Sequence, residues 1–332
     1  MRKILYILHR YPQISETYME TEMRALDGRF DMRILSTGKP DLLYQHHHPY
    51  MLTENVPAMI AAAREFAPDV IHCHYTLMIP AVYQVARALD VPFTVRTHSF
   101  DVFGPAAPKL VHYQQAVGSS LCAGVLGFPP TLRRFEKAGW DMRKVRDCYP
   151  IIEYDWFYDR SANGKAIMNV GACIPKKKME DFVQLGAQCP GRELNLYALG
   201  YYKGRIEELN DSMGRPINVK PPIEPRLMPA EYKKHEWLVY TGTPKLPTVG
   251  WPLAVAEAQA SGVGVCIQRV RPDLEEYLGC AGYLFDTVDE AAAIIANPVP
   301  AEMRETGFRQ AAKSDIHAHI DLLVEMWRAA YR

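Results

Sequence analysis

Short apolar runs alternate with longer amphipathic stretches from one end of the chain to the other, and this alternation predicts a parallel α/β architecture. In the first half, residues 4–8, 32–36, 70–73, 93–97, 124–126 and 148–152 read as strands. Stretches such as 56–65 and 81–89 read as the helices between them. The second half repeats the theme with strands at 167–170, 194–199, 217–219, 238–240, 263–267 and 283–285. Two sheets of about six strands each fit two Rossmann-like domains. The polar, turn-rich run from Tyr158 to Lys165 predicts a linker. The expected organisation is a first domain over 1–158, a linker over 159–165 and a second domain over 166–313. A final helix over 314–332 carries Ile320, Leu323, Met326 and Trp327 on one face, and it is expected to return to the first domain.

Composition narrows the class. The 332 residues are 48 % hydrophobic and 23 % charged, the balance of a globular protein with a real core. Lys plus Arg and Asp plus Glu both number 38, which excludes a polycationic coat for bulk nucleic-acid binding. The longest nearly uncharged run, 116–131, is broken by serine, glycine and proline and is too short to span a bilayer. Met1-Arg2-Lys3 leads into a short apolar run that ends at His9-Arg10, so no signal peptide is read. Seven scattered cysteines with no CxxC pair read as reduced thiols, not a disulfide or zinc framework. The expected location is the cytoplasm, either free or peripheral at the inner membrane face.

Ligands of open α/β sheets sit beyond the carboxyl ends of the strands, so the residues that follow each strand are the candidates. After the first strand, Ser15 or Thr17 can cap a helix, and Thr17 with Glu20 has capping-box spacing. A helix starting there would also aim free N–H groups at an anion. His98 and Asp101 follow the fourth strand, placed to orient a sugar or shuttle a proton. His72 and His74 alternate across the pleat from Cys73, with no carboxylate spaced to complete a metal site. The triplet His46-His47-His48 beside Pro49 reads as a solvent-exposed loop. Lys176, Lys177 and Lys178 lie between a strand and a helix, as a phosphate site or as a solvated surface run. In the segment from Gly250 to Gly262, Pro252 suits the first helical position and Gly262 the C-cap. Glu257 is the one charge in that apolar helix, so it needs either a buried partner or a ligand hydroxyl.

These motifs together resemble the retaining nucleotide-sugar glycosyltransferases of family 4, within them the exopolysaccharide and colanic-acid branch. The resemblance is carried by Tyr11–Tyr18, by Ile71–Tyr75, by Thr97–Phe103 and by Gly250–Gly262, in that order along almost the whole chain. It implies the GT-B fold, two facing Rossmann-like domains with an interdomain cleft. It implies transfer of a sugar from a nucleotide-activated donor to an acceptor hydroxyl with retention, in polysaccharide or glycoconjugate synthesis. By the same resemblance Glu257 holds the nucleotide ribose, Lys177 contacts the diphosphate, and His98 lies near the transferred sugar. Gly250, Trp251, Pro252 and Leu253 then belong to the donor side, Ser15, Glu16 and Thr17 to the acceptor side, and His98 and Asp101 to catalysis.

The chain departs from the family pattern at two positions. Val249 replaces a glutamate that contacts the donor sugar, and Ala172 replaces the arginine that partners the diphosphate lysine. Arg269 and Arg271, in the loop after strand 263–267, are expected on one side of an extended segment, where either could replace the missing arginine. No metal and no cofactor are implied, the nucleotide sugar being a substrate. The expected partners are that donor and a saccharide or lipid-linked saccharide acceptor. Two alternatives stand beside this reading: a catalytically inactive GT-B binding or scaffold protein, and a GT-B enzyme that glycosylates modified nucleic acid.

Overall fold

The computed structural model describes residues 1–246 and 248–331. The chain divides into two compact units, Met1–Ile151 with Ile316–Arg332, and Ile152–Asp315. The change of unit therefore falls at 151/152 and not within 159–165. The turn-rich segment is stitched into the second unit by hydrogen bonding. Lys233 Nζ donates to the carbonyls of Asp159 (3.0 Å) and Ser161 (2.8 Å), and the Asp159 N–H donates to Ala260 O at 3.2 Å. Phe157 is buried against Tyr232 just before it. Polar composition here serves an anchored loop as well as it would a linker.

The first unit is a seven-stranded, all-parallel sheet. Its strands are β1 (Lys3–Leu8), β2 (Asp31–Ser36), β3 (Met51–Leu52), β4 (Val70–His74), β5 (Phe93–Arg96), β6 (Cys122–Gly127) and β7 (Val145–Asp147), in the order β3-β2-β1-β4-β5-β6-β7. The second unit is a six-stranded parallel sheet of β8 (Ala166–Ala172), β9 (Leu194–Leu199), β10 (Asn218–Lys220), β11 (His235–Tyr240), β12 (Gly264–Gln268) and β13 (Tyr283–Phe285), ordered β10-β9-β8-β11-β12-β13. Both are Rossmann-like windings. The strand order reverses between β1 and β4 in one and between β8 and β11 in the other, and ligands bind beyond the carboxyl ends at such points. The central strands of each sheet are buried on both faces, which is why they read as apolar runs.

Two strand assignments from sequence need correction. The segment 148–152 is not a strand. The ladder ends with β7 at Asp147, Pro150 lacks the N–H to extend it, and Ile152 makes only an isolated bridge to Asp315. The two-residue β3, exposed at both positions, gave no pattern to read. The last helix, Ile316–Ala330, belongs to the first unit and buries Ile320, Leu323, Met326 and Trp327. Trp327 Nε1 donates to Thr94 Oγ1 on β5 at 2.8 Å. The helix approaches β6 so closely that a Cβ on Gly124 would sit 2.2 Å from Met326 Cε. Among the described residues no helix is long and apolar enough to cross a membrane, and all seven cysteines are free thiols.

Candidate functional site

At the reversal point of the second unit, β8 runs on beside β9 to Ala172, and Gly171 near its end has a φ of 145°, a conformation that L side chains rarely adopt. The loop beyond it forms a short 3-10 turn, Pro175–Lys177. This turn is tied to the end of β11. Thr241 Oγ1 donates to Lys177 O at 2.6 Å and accepts from Asn169 Nδ2 at 3.0 Å, while the Thr243 N–H donates to Lys176 O at 3.1 Å. Lys177 is thereby held half-buried with its Nζ 4.3 Å from the centroid of the Tyr240 ring. Burial, with the charge of Lys176 beside it, lowers its pKa to about 7. The three lysines differ: Lys178 pairs with Asp181 at 2.8 Å, whereas no carboxylate among the described residues pairs with Lys177.

Glu257 lies half-buried on the helix Leu253–Ala260, which follows the loop after β11. Tyr232 donates its hydroxyl to Glu257 Oε2 at 2.7 Å. Burial pushes the Glu257 carboxyl up to about 7, against the pull of that hydrogen bond. Pro252 is the residue before the first helical turn, not its first position, and Gly262 follows the C-cap Ser261 with φ 70°. Trp251 turns inward. It stacks on Tyr277 at 4.8 Å, and its Nε1 donates to Asp273 at 3.0 Å, while Tyr277 donates to Pro252 O at 2.8 Å. Trp251 thus braces the loop, while Gly250, Pro252 and Leu253 are half-buried around it.

The structure does not place Arg269 and Arg271 on one side of an extended loop. The Val270 N–H donates back to Gln268 O at 2.8 Å, so the chain turns there and Val270 is buried. Arg271 is buried with its Nε on Asp273 (2.8 Å) and its Nη1 on Val249 O (2.9 Å). Arg269 pairs with Glu275 and, at 3.5 Å, with Asp286. Each guanidinium is already matched by carboxylates of its own surroundings. Ala172 ends a different strand of the same sheet, β8, and the turn at Lys177 follows it. Among the described residues neither arginine is left without a carboxylate to take the place of the missing partner of Lys177.

In the first unit the reversal point gathers an aromatic and carboxylate cluster. Tyr75 follows β4 with φ 74°, a strained conformation for a tyrosine, and such strain marks a position fixed by its surroundings. Its hydroxyl meets that of Tyr18, and both hydrogen-bond Glu16, a half-buried carboxyl whose pKa burial raises. His98 stacks on Tyr18 with ring centroids at 4.2 Å and lies 4.6 Å from the Tyr75 ring. Asp101 is buried, and its carboxylate accepts the N–H groups of Thr76 and His98. It acts on His98 as a holder of the loop, and burial pushes its pKa up to about 7. Ser15 is exposed and Thr17 half-buried.

The capping-box reading fails. Thr17 makes no side-chain cap to the helix Tyr18–Arg24, and Glu20 turns inward to Tyr11 and His48. His48 is likewise not a solvated loop residue. Its ring bridges Glu20 (2.9 Å) and Asp27 (2.8 Å), and the bond to Glu20 leads the effects that raise its pKa to about 9.

Beneath this cluster is a charged network that sequence reasoning missed. Glu22 is fully buried, and its carboxylate pairs with Arg96 of β5 at 2.5 Å and accepts the Tyr6 hydroxyl at 3.1 Å. His72 Nε2 and His74 Nε2 approach the same Oε1 at 3.1 and 3.2 Å. Glu22, His72 and His74 have ligand atoms within 4.8 Å of one another, close enough to hold a metal ion. This corrects the expectation that no carboxylate completes such a set. The Arg96 guanidinium already balances the Glu22 charge, however, so the arrangement suits a hydrogen-bonded network better than a second cation. Arg96 was legible as a charge inside an apolar strand, a signal that demands a partner.

Residues 21–137 match the family model described as a glycosyl transferase 4-like domain. No curated protein matches the chain. Among solved structures, HepE of Anabaena in complex with UDP-glucose superposes with a TM-score of 0.81 at 15 % identity, covering 99 % of this chain and 100 % of that one. The sucrose-phosphate synthase of Thermosynechococcus elongatus gives 0.76 at 15 % identity, covering 99 % of each chain. The lipopolysaccharide outer core galactosyltransferase WaaB gives 0.65 at 11 % identity, covering 98 % of this chain and 99 % of that one. With two Rossmann-like units of seven and six parallel strands, the fold of this chain is that of the GT-B glycosyltransferases.

Proposed function

We propose that this chain is a glycosyltransferase that moves a sugar from a nucleoside-diphosphate donor to an acceptor hydroxyl. The observation that carries the reading is Lys177, a half-buried lysine whose ammonium is costly to hold without an anion and which has no carboxylate of its own among the described residues. A diphosphate supplies the missing charge. In this reading Lys177 balances the leaving diphosphate as charge develops on it. Glu257, already oriented by Tyr232, accepts a hydroxyl of the ribose. His98, held between Tyr18 and Tyr75, meets a sugar hydroxyl. The HepE complex contains UDP-glucose, which makes a uridine nucleotide the first donor to test. Retention of configuration, a saccharide or lipid-linked acceptor and a role in polysaccharide synthesis complete the proposal, resting on the motif resemblance.

A thermal-shift series with UDP, GDP, ADP, CMP and dTDP tests it. A ligand at about 100 times its Kd stabilises by roughly 2.7 kcal/mol, which moves the melting temperature by several degrees. If none of the five moves it, the reading falls. Glu257→Gln is expected to have two opposite effects. It weakens nucleotide binding by about tenfold, the loss of a charge-assisted hydrogen bond. It also stabilises the free protein at pH 8, because a carboxyl with a raised pKa holds its proton from about 4.5 to about 7 in the fold and above that carries a buried charge. Unchanged affinity by calorimetry would reduce Glu257 to a structural residue. The inactive-scaffold reading is favoured by Ala172 and by Val249, which is buried and carries no charge to offer a sugar. Slow hydrolysis of the donor in the absence of acceptor would exclude it.

A further inference from the structure

The hydrogen-bond chain behind His98 fixes which of its ring nitrogens carries the proton. Burial opposes ionisation of Glu22, but Arg96 and then His72 and His74 outweigh it, so the carboxyl stays ionised and acts as an acceptor only. Burial lowers the His74 pKa to about 4 despite the pull of Glu22, so near neutral pH this ring is uncharged and has a single N–H. That proton sits on Nε2, since Nε2 faces the Glu22 carboxylate at 3.2 Å. His74 Nδ1 is then a bare lone pair, and it lies 3.1 Å from His98 Nε2. Two lone pairs do not attract, so His98 carries its proton on Nε2. Its own pKa is held well below the ordinary value by burial and then by the neighbouring His74 and Arg96, so this ring too is neutral. Its Nδ1 is left as an acceptor, on a side chain that is partly exposed at the strand ends.

We propose that Glu22 and His74 are positioning residues that lock His98 as the Nε2–H tautomer, so that His98 presents a hydrogen-bond acceptor to the ligand. This rests on the glycosyltransferase reading above and sharpens it. The group His98 meets is a hydroxyl that donates, a neutral sugar O–H, and not a phosphate oxygen or a carboxylate. An imidazole in the opposite tautomer would select the reverse.

The tautomer is measured on the free protein, without any donor, by long-range 1H–15N correlation of histidine-labelled protein. The wild type is expected to show His98 protonated on Nε2. In Glu22→Gln the Arg96 guanidinium, a donor only, claims the amide oxygen. The new NH2 group then faces His74 Nε2, which reverses His74 and with it His98. An Nδ1–H signal for His98 in the wild type overturns the proposal, as does a His98 tautomer that does not change in Glu22→Gln. Should that variant fail to fold, His74→Phe cuts the chain at its middle, and His98 is then expected as a mixture of tautomers. A pure Nε2–H form there also overturns the proposal. With UDP-glucose analogues, replacing the recognised hydroxyl by hydrogen or by fluorine is expected to weaken wild-type binding equally, by about three- to tenfold, since neither donates. A fluorinated analogue that keeps full affinity while its deoxy counterpart loses it refutes the acceptor role. If UDP-glucose itself does not bind while the tautomer is as stated, the fault lies with the donor assignment and not with the lock.

Discussion

Lys177→Gln is expected to weaken nucleoside-diphosphate binding by about 100-fold, the worth of roughly 2.7 kcal/mol in hydrogen bonding to a charged partner. The effect is large because, among the described residues, Lys177 has no carboxylate partner, whereas Lys178 is paired with Asp181, Arg269 with Glu275 and Asp286, and Arg271 with Asp273. Lys178→Gln, the control, is expected to change affinity by less than about threefold, because its charge is already matched by Asp181. The sign of the pH dependence follows from the lowered Lys177 pKa. In the free protein the amine loses its proton as pH rises through about 7, well before an ordinary lysine. A bound diphosphate favours the charged form and restores the proton. Nucleotide binding at about pH 8.5 is therefore expected to take up close to one proton, read by calorimetry in buffers of differing ionisation enthalpy. In Lys177→Gln the uptake should vanish. Binding with no proton uptake in the wild type would show that the anion does not sit on Lys177.

The sequence reveals the sheets more fully than the sites, and the reason is physical. A strand buried on both faces is a local fact, written in consecutive residues, so runs such as Ile4–Leu8 are visible without context. Lys177 and Glu257 were also legible, one as a cation after a strand and one as a lone charge in an apolar helix. Their partners were not. Tyr240 and Tyr232 come from other strand and helix ends, and nothing in their neighbours in sequence announces the contact. The same holds for Tyr75 and Tyr18, which sit 57 residues apart and meet at their hydroxyls. Arg269 and Arg271 show the opposite failure. Alternation places two residues on one side only if the backbone is extended, and a single turn at Val270 sends one guanidinium inward and leaves the other at the surface. A solvated charge and a buried, paired one look alike in sequence. His48 reads as a solvated loop residue and Glu20 as a capping-box partner, yet they hydrogen-bond each other in the interior, and nothing in the sequence singles out Glu22, which pairs with Arg96.

Arg96→Met is expected to cost the first unit about 3–5 kcal/mol, because it strands the Glu22 carboxylate in the interior. For a unit of this size that lowers its melting temperature by roughly 10 °C. The loss comes from an unmatched buried charge more than from the missing contact, and the distinction can be measured. Adding Glu22→Gln to Arg96→Met removes the second charge while keeping an oxygen for Tyr6. The double variant is therefore expected to be more stable than Arg96→Met alone by at least about 1.5 kcal/mol, although it carries one more substitution. Acid adds a second signature. Glu22 is held well below its ordinary 4.5, with burial opposing and Arg96 leading the charges that prevail. The stability this confers is present above about 4.5 and is lost as pH falls toward the folded value. Without Arg96 burial pushes this carboxyl up instead, so taking up its proton in acid relieves the stranded charge. The stability deficit of Arg96→Met relative to the wild type should therefore shrink as pH falls, and the double variant, with no carboxyl at position 22, should lack that recovery. If the two substitutions simply add in denaturant titrations and the deficit of Arg96→Met does not shrink in acid, the pair is not coupled. Glu22 would then be anchored by Tyr6, His72 and His74 without help from the guanidinium.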